Sequence, residues 1–130
     1  MNIIITLPTN LIQLIKEGKK TIELRKHCPL LFVSNKDVIY ICKKGTACVV
    51  GYMKIDAVVV TLNKYAILTE WAKDIAVPQE WIKNYIKDAK VLYGYFIRYY
   101  REFEKPLPIK EQFNVSRAPQ SFVYTTENVR

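Results

Sequence analysis

The sequence is poor in the residues that usually carry catalysis or bind metals. It has one histidine, His27, and three cysteines, Cys28, Cys42 and Cys48, in 130 residues. The odd number of cysteines and the lack of a metal-ligand spacing favour three reduced thiols. No glycine-rich phosphate loop, carboxylate cluster or catalytic triad can be identified. We therefore expect no metal and no cofactor.

Long apolar runs are also missing, which excludes a membrane-spanning helix. The chain enters a strand-like segment at Asn2 with no basic segment before it, which is not the pattern of a signal peptide. These absences, with the reduced cysteines, predict a cytoplasmic protein with no membrane partner. Length and composition, half hydrophobic and 25% charged, predict one globular domain over residues 1–130, as a monomer or weak dimer.

The charge of the chain is unevenly distributed. The net charge is +8, of which residues 1–64 carry +6 (10 Lys and Arg against 4 Asp and Glu) and residues 65–130 carry +2 (10 against 8). A basic excess of this kind favours an anionic ligand such as nucleic acid. It also keeps a small protein soluble, so charge alone leaves both interpretations open.

The segment from Gly18 to Arg25 is the most informative part of the sequence. Apolar residues before it follow a helical period, which makes Gly18 the left-handed residue that ends a helix. Alternation then predicts a strand with Ile22 and Leu24 in the core. Glu23 and Arg25 are expected on the opposite face, partly exposed in one concavity, with Lys20 at the mouth of the strand.

These residues resemble a known family. The pattern Gly-x-Lys-x-x-Glu-x-Arg, with Gly18, Lys20, Glu23 and Arg25, is similar to the signature of the ASCH domain, a PUA-like family. The segment 118–124, Ala-Pro-Gln-Ser-Phe-Val-Tyr, resembles the closing strand of small stand-alone ASCH proteins. The resemblance covers nearly the whole chain. It implies a mixed α/β fold: a PUA-like β-barrel of five or six mostly antiparallel strands with two or three flanking helices.

The resemblance also implies a function. ASCH and PUA-like domains bind RNA or nucleotide ligands beside this motif, so we expect such a ligand in a basic cleft. The expected cleft residues are Lys20, Glu23, Arg25, Lys26, Gln120, Ser121 and Tyr124.

Two alternatives remain open at this point. The first is a small hydrolase that acts on RNA or on a modified nucleoside, with Lys20, Glu23 and Arg25 as its catalytic residues. One bacterial branch of the family is an N4-acetylcytidine amidohydrolase with a threonine nucleophile, but that threonine position holds Glu23 here. The second alternative is an interaction module whose basic face meets an acidic protein.

Aromatic residues predict the remaining elements. Trp71 and Trp81 lie on the apolar stripes of two successive helices, and we expect both to pack against the barrel. The segment 90–103 is the longest strand signal. Its alternation places Tyr93, Tyr95, Ile97 and Tyr99 on one face and Leu92, Phe96, Arg98 and Tyr100 on the other. Gly51, inside a preceding strand, predicts a bulge or a close backbone approach.

Overall fold

The computed structural model describes all 130 residues and is built on one six-stranded mixed sheet. The strands are β1 (Asn2–Leu7), β2 (Ile22–Arg25), β3 (Ile39–Lys43), β4 (Cys48–Thr61), β5 (Leu92–Pro108) and β6 (Val123–Thr125). The helices are α1 (Thr9–Lys16), α2 (Lys64–Ala66), a π-helical turn (Ile67–Trp71), α3 (Ala72–Ile75), α4 (Gln79–Ile86) and α5 (Ile109–Phe113). A membrane-spanning helix would need a longer apolar stretch than any of these helices has.

The sheet has the strand order β2-β5-β4-β3-β1-β6. The pair β1–β3 is parallel and the four other neighbouring pairs are antiparallel. The mixed α/β fold class with six mostly antiparallel strands is therefore confirmed. The sheet is not closed into a barrel by backbone hydrogen bonds, because β2 and β6 are its two edges. The helices also exceed the predicted two or three, since α2, the π-helical turn and α3 together form one continuous helical segment beside α1, α4 and α5.

Three apolar clusters fill the space around the sheet. The central cluster lies on one face of β1, β3, β4 and β5, under α1, and includes Ile5, Ile41 and Tyr95. A second cluster, on the opposite face, packs α5 against β1, β3 and β4. A third joins Ile22 and Leu24 to the helices between β4 and β5. The two faces of β2 thus have different environments, as period-2 alternation requires.

Strand β5 departs from the predicted alternation after Ile97. Ile97 pairs with Ile55, whereas Tyr99 pairs with Lys54, so Arg98 is an extra residue in the ladder. A bulge of one residue moves the following side chains to the other face of a sheet. Tyr100 therefore packs against the central cluster, and the prediction that Tyr99 would share a face with Tyr93, Tyr95 and Ile97 was wrong at this position.

Gly51 shows the close approach that the sequence predicted. The register of β4 shifts between Val49 and Gly51, and a Cβ atom added to Gly51 would lie 2.4 Å from the Arg101 carbonyl oxygen and 2.6 Å from the Tyr100 hydroxyl. No side chain fits there without backbone movement, so glycine is required by the packing of β4 against β5.

Candidate ligand-binding cleft

The corner between α1 and β2 forms as the sequence predicts. Gly18 has φ +75° and follows the last turn of α1. The Gly18 amide donates to Ile15 O and the Lys20 amide to Leu14 O, so the chain turns tightly before β2 begins. Ile22 and Leu24 are buried against the third cluster, which confirms the strand register on which the site depends.

A buried ion-pair network occupies the other face of this corner. Lys20 Nζ lies 3.2 Å from Glu23 Oε1, and Arg25 Nε lies 2.8 Å from Glu23 Oε2. Lys20 Nζ also donates to the carbonyl oxygens of Ile22 (3.0 Å) and Ile75 (2.9 Å), so all three of its protons have acceptors. The ammonium group thereby ties β2 to the end of α3.

The expectation that Glu23 and Arg25 would both be partly exposed was wrong for Glu23. Residue exposure is 2% for Lys20 and 5% for Glu23, so neither is a surface group at the mouth of the strand. The Arg25 side chain remains 15% exposed. Buried charges persist in proteins only when they are paired and hydrogen-bonded, which this network achieves. The arrangement makes Lys20 and Glu23 supports that position Arg25.

Arg25 also joins the two ends of the open sheet. Its Nη1 donates to Ser121 O and its Nη2 to Thr6 O, both at 3.4 Å. Thr6 belongs to β1 and Ser121 lies two residues before the start of β6, whereas Arg25 lies on the opposite edge strand. Both contacts are long for a hydrogen bond, and two guanidinium protons have no acceptor within the protein.

A cavity of about 160 Å³ opens beside this guanidinium. Five of its eight lining residues are hydrophobic, as in most small-ligand sites. The lining residues are Thr6, Leu7, Leu11, Glu23, Leu24, Arg25, Trp81 and Tyr85, and we call this cavity the cleft. A smaller cavity of about 30 Å³ shares several of these residues and extends to Lys20.

An aromatic stack forms the rim of the cleft. The rings of Trp81 and Tyr85 are parallel within 12° with centroids 4.9 Å apart. Lys26 Nζ lies 4.4 Å from the centroid of the Tyr85 ring. Trp81 is 47% exposed. We expected both tryptophans to pack against the barrel; Trp71 packs edge-on against Phe96, whereas Trp81 stacks on Tyr85 and stays half exposed.

Tyrosines beside the network stay protonated to unusually high pH. Burial raises the pKa of Tyr85, with the negative charge of Glu23 acting in the same direction and the positive charge of Arg25 opposing it. Burial likewise raises the pKa of Tyr95, whose ring lies on β5 opposite Glu23 and whose hydroxyl donates to His27 O at 2.7 Å. Both hydroxyls are neutral donors at physiological pH.

Of the four other residues expected in the cleft, two lie beside it and two do not. Lys26 reaches it through the stack, and Ser121 touches Arg25 only with its main-chain oxygen. Gln120 instead lines a separate concavity with Arg117 and Pro119. The Tyr124 hydroxyl accepts from the Leu31 amide. Gln120 and Tyr124 therefore do not line the cleft.

Residues of α4 and β1 that line the cleft were missed from the sequence. Trp81 and Tyr85 are four residues apart, beside the buried pair Ile82 and Ile86 on the same helix. Four apolar residues in two turns are the ordinary apolar stripe of a surface helix, so the sequence carries no signal that separates Trp81 and Tyr85 from Ile82 and Ile86. No group of His, Cys, Asp or Glu side chains is arranged to hold a metal ion.

Comparisons with known proteins identify the family. The sequence model of the ASCH domain matches residues 5–113. The ASCH protein of Zymomonas mobilis has a similar structure, with a TM-score of 0.79 and 20% identity over 97% of this chain and 88% of that one. A serine-to-alanine variant of the same protein gives a TM-score of 0.83 at 19% identity, covering 97% of this chain and 89% of that one. No curated protein matches the sequence. The chain belongs to the ASCH domain family.

Proposed function

We propose that this protein binds RNA or a nucleotide-like ligand in the cleft beside Lys20, Glu23 and Arg25. The observation that carries the proposal is the half-exposed Trp81 ring at the rim, stacked on Tyr85. An aromatic ring held rigid at the mouth of a cavity is the usual platform for an unpaired base, and each such stack contributes about 1–3 kcal/mol.

The size and charge of the cleft support the same proposal. A cavity of about 160 Å³ admits one base rather than a duplex. Lys20, Glu23 and Arg25 together carry one net positive charge, and two Arg25 protons remain free to donate to a carbonyl or phosphate oxygen. Lys26, above the Tyr85 ring, adds a second positive charge at the entrance. The overall charge of +8 favours any polyanion in addition.

The contacts of the network favour binding over hydrolysis. All three Lys20 protons and both Glu23 oxygens are engaged with protein groups. Both side chains are buried and held by these partners, so neither could transfer a proton to or from a ligand without first breaking the network. The Thr21 side chain is exposed, away from the cleft. We therefore propose a binding module and assign no catalytic role to Lys20, Glu23 or Arg25.

Fluorescence anisotropy of a labelled single-stranded RNA tests the proposal. The wild-type protein should bind, with an affinity that falls steeply as salt rises. Trp81→Ala should weaken binding about 5- to 160-fold, which corresponds to the loss of one base stack. Tyr65→Ala is the matched control, because Tyr65 is an exposed aromatic residue outside the cleft. Absence of RNA binding at low salt, or equal losses in both variants, would contradict the proposal.

A further inference from the structure

The polar side chains that line the cleft differ in how much hydrogen-bonding capacity they have left. The Thr6 hydroxyl donates to the Pro119 carbonyl oxygen at 2.8 Å, and each Glu23 oxygen already holds a cation. Arg25 has five N–H groups and no acceptor, and its three hydrogen bonds leave two of these groups free. Trp81 has a ring N–H as its only polar group. The unused hydrogen-bonding groups of the cleft are therefore mainly donors.

The two free protons of Arg25 lie on different nitrogens. Nη1 gives one proton to Ser121 O and Nη2 gives one to Thr6 O, so each terminal nitrogen keeps one. Nε is held at 2.8 Å by Glu23, which also pairs with the buried Lys20, so the buried network fixes the plane of the guanidinium group. A rigid plane with one donor on each terminal nitrogen matches a ligand edge that has two adjacent acceptors.

Guanine is the RNA base that fits these donors best. It presents two adjacent acceptors, O6 and N7, and an arginine bound to this pair is the commonest specific contact between proteins and bases in DNA. Adenine has nearly the same size, but its N6 amino donor stands where guanine has O6, so donor would face donor. In uracil, N3–H separates the two carbonyl oxygens. Cytosine has adjacent acceptors at O2 and N3, but its single ring covers less of the Trp81 face than a purine does.

We propose that the cleft selects an unpaired guanine, with Arg25 donating to O6 and N7 while the base stacks on Trp81. This inference rests on the proposed function and specifies which base the cleft takes. The contact uses only protons that are free in the protein, so the ion pairs of Glu23 with Lys20 and Arg25 stay intact. Lys26, at the entrance, is left for a phosphate group, which adds affinity without selecting a base.

Fluorescence anisotropy with RNAs that differ at one base tests the proposal. Short single-stranded RNAs with uridine at every other position carry guanine, adenine, hypoxanthine or 7-deazaguanine at the centre. The guanine RNA should bind roughly 5- to 160-fold more tightly than the adenine RNA, which is the range for one bidentate contact. Hypoxanthine keeps O6 and N7 and should keep this advantage, whereas 7-deazaguanine lacks N7 and should lose part of it. Equal binding of guanine and adenine, or of guanine and 7-deazaguanine, would overturn the proposal.

Two protein variants separate base selection from general attraction to RNA. Arg25→Gln should bind the adenine RNA at least as tightly as the guanine RNA, because a glutamine amide pairs with N6 and N7 of adenine. Lys26→Gln should weaken the binding of both RNAs by the same factor, because it removes a charge and no base contact. An unchanged guanine preference in Arg25→Gln would overturn the proposal. The comparison of bases in the wild-type protein holds even if Arg25→Gln fails to fold.

Competition with mononucleotides identifies the source of the base. Guanosine monophosphate should displace the labelled guanine RNA at a lower concentration than adenosine monophosphate. If it competes as well as the unlabelled RNA, the ligand is a free guanine nucleotide, and if it competes far more weakly, the ligand is a strand. Equal displacement by the two nucleotides would overturn this inference alone. Absence of any RNA binding would instead contradict the proposed function, so the two failures can be distinguished.

Discussion

Arg25 Nη2 donates to the main-chain oxygen of Thr6 at 3.4 Å, across the gap where the sheet is not closed by backbone pairing. Arg25 is on edge strand β2, and Thr6 is near the end of β1, beyond the residues that β6 covers. In a closed barrel, backbone hydrogen bonds would join these two parts of the sheet; here one guanidinium group joins them. The same group borders the cleft, so closure of the fold and construction of the site depend on one side chain.

Replacement of Arg25 by lysine should loosen this closure without unfolding the protein. Lysine keeps the charge beside Glu23 but cannot donate to Glu23, Ser121 and Thr6 from one planar group. We expect amide hydrogen exchange in β6 to become about 5- to 10-fold faster, which corresponds to a loss of about 1 kcal/mol of local stability. Exchange in β3, which lies inside the sheet, should not change. Equal exchange of β6 in variant and wild type would contradict this role of Arg25.

Removal of the Glu23 charge should strongly destabilise the fold. Glu23→Gln would leave the Lys20 ammonium buried without a counter-charge, and breaking a buried pair in this way costs about 3–5 kcal/mol. Urea unfolding measures the loss. The double variant Lys20→Met with Glu23→Gln should lose less free energy of unfolding than the sum of the two single variants, because both single variants lose the same Lys20–Glu23 interaction.

An exposed ion pair provides the control for Glu23. Glu80 lies 3.5 Å from Lys83 on α4, with both side chains at least half exposed. Glu80→Gln should change the free energy of unfolding by only ~0–1 kcal/mol. Similar losses for Glu23→Gln and Glu80→Gln would mean that the buried network contributes no more than a surface pair.

Alkaline pH should destabilise the protein through its buried tyrosines. Burial raises the pKa of Tyr40, Tyr85, Tyr95 and Tyr100 above the ordinary value near 10. The folded state therefore holds protons that the unfolded state has already lost. The resulting stability is present below about pH 10 and is lost as pH rises through the folded-state pKa values. Burial also lowers the pKa of Lys54, and this one group has the opposite effect on stability at alkaline pH.

Absorbance titration of tyrosinate, with urea unfolding at each pH, measures this effect. The four tyrosines with raised pKa values, Tyr40, Tyr85, Tyr95 and Tyr100, should ionise only as the protein unfolds. Tyr95→Phe should flatten the loss of stability above about pH 10. Ionisation of all nine tyrosines in a folded protein would contradict the prediction.

Local patterns in the sequence predicted much of the fold. Gly18 as a helix end, the burial of Ile22 and Leu24, and the close approach at Gly51 each follow from one stretch of chain. Features that depend on two distant stretches could not be predicted in this way. The bulge at Arg98 changes which of Tyr99 and Tyr100 faces the core, and only the pairing of β4 with β5 determines it.

In the candidate site too, local features could be predicted from the sequence and long-range contacts could not. The motif predicted that Lys20, Glu23 and Arg25 lie together, which they do. Their burial depends on the end of α3, where Ile75 supplies a carbonyl oxygen 55 residues away from Lys20. The alternation of side chains along β2 does not indicate which other element covers that strand. Trp81 was missed for a similar reason, because the apolar stripe of α4 does not indicate that Ile82 and Ile86, rather than Trp81 and Tyr85, face the core.

Fluorescence of Trp81 most directly tests the claim that the cleft holds a base. Trp71→Phe leaves Trp81 as the only tryptophan, since the chain has two. Titration of this variant with single-stranded RNA should quench the emission to saturation, because a base stacked on the indole is an efficient quencher. The quenching should follow the same binding curve as RNA anisotropy. RNA that binds by anisotropy and leaves Trp81 emission unchanged would place the ligand elsewhere and contradict the account.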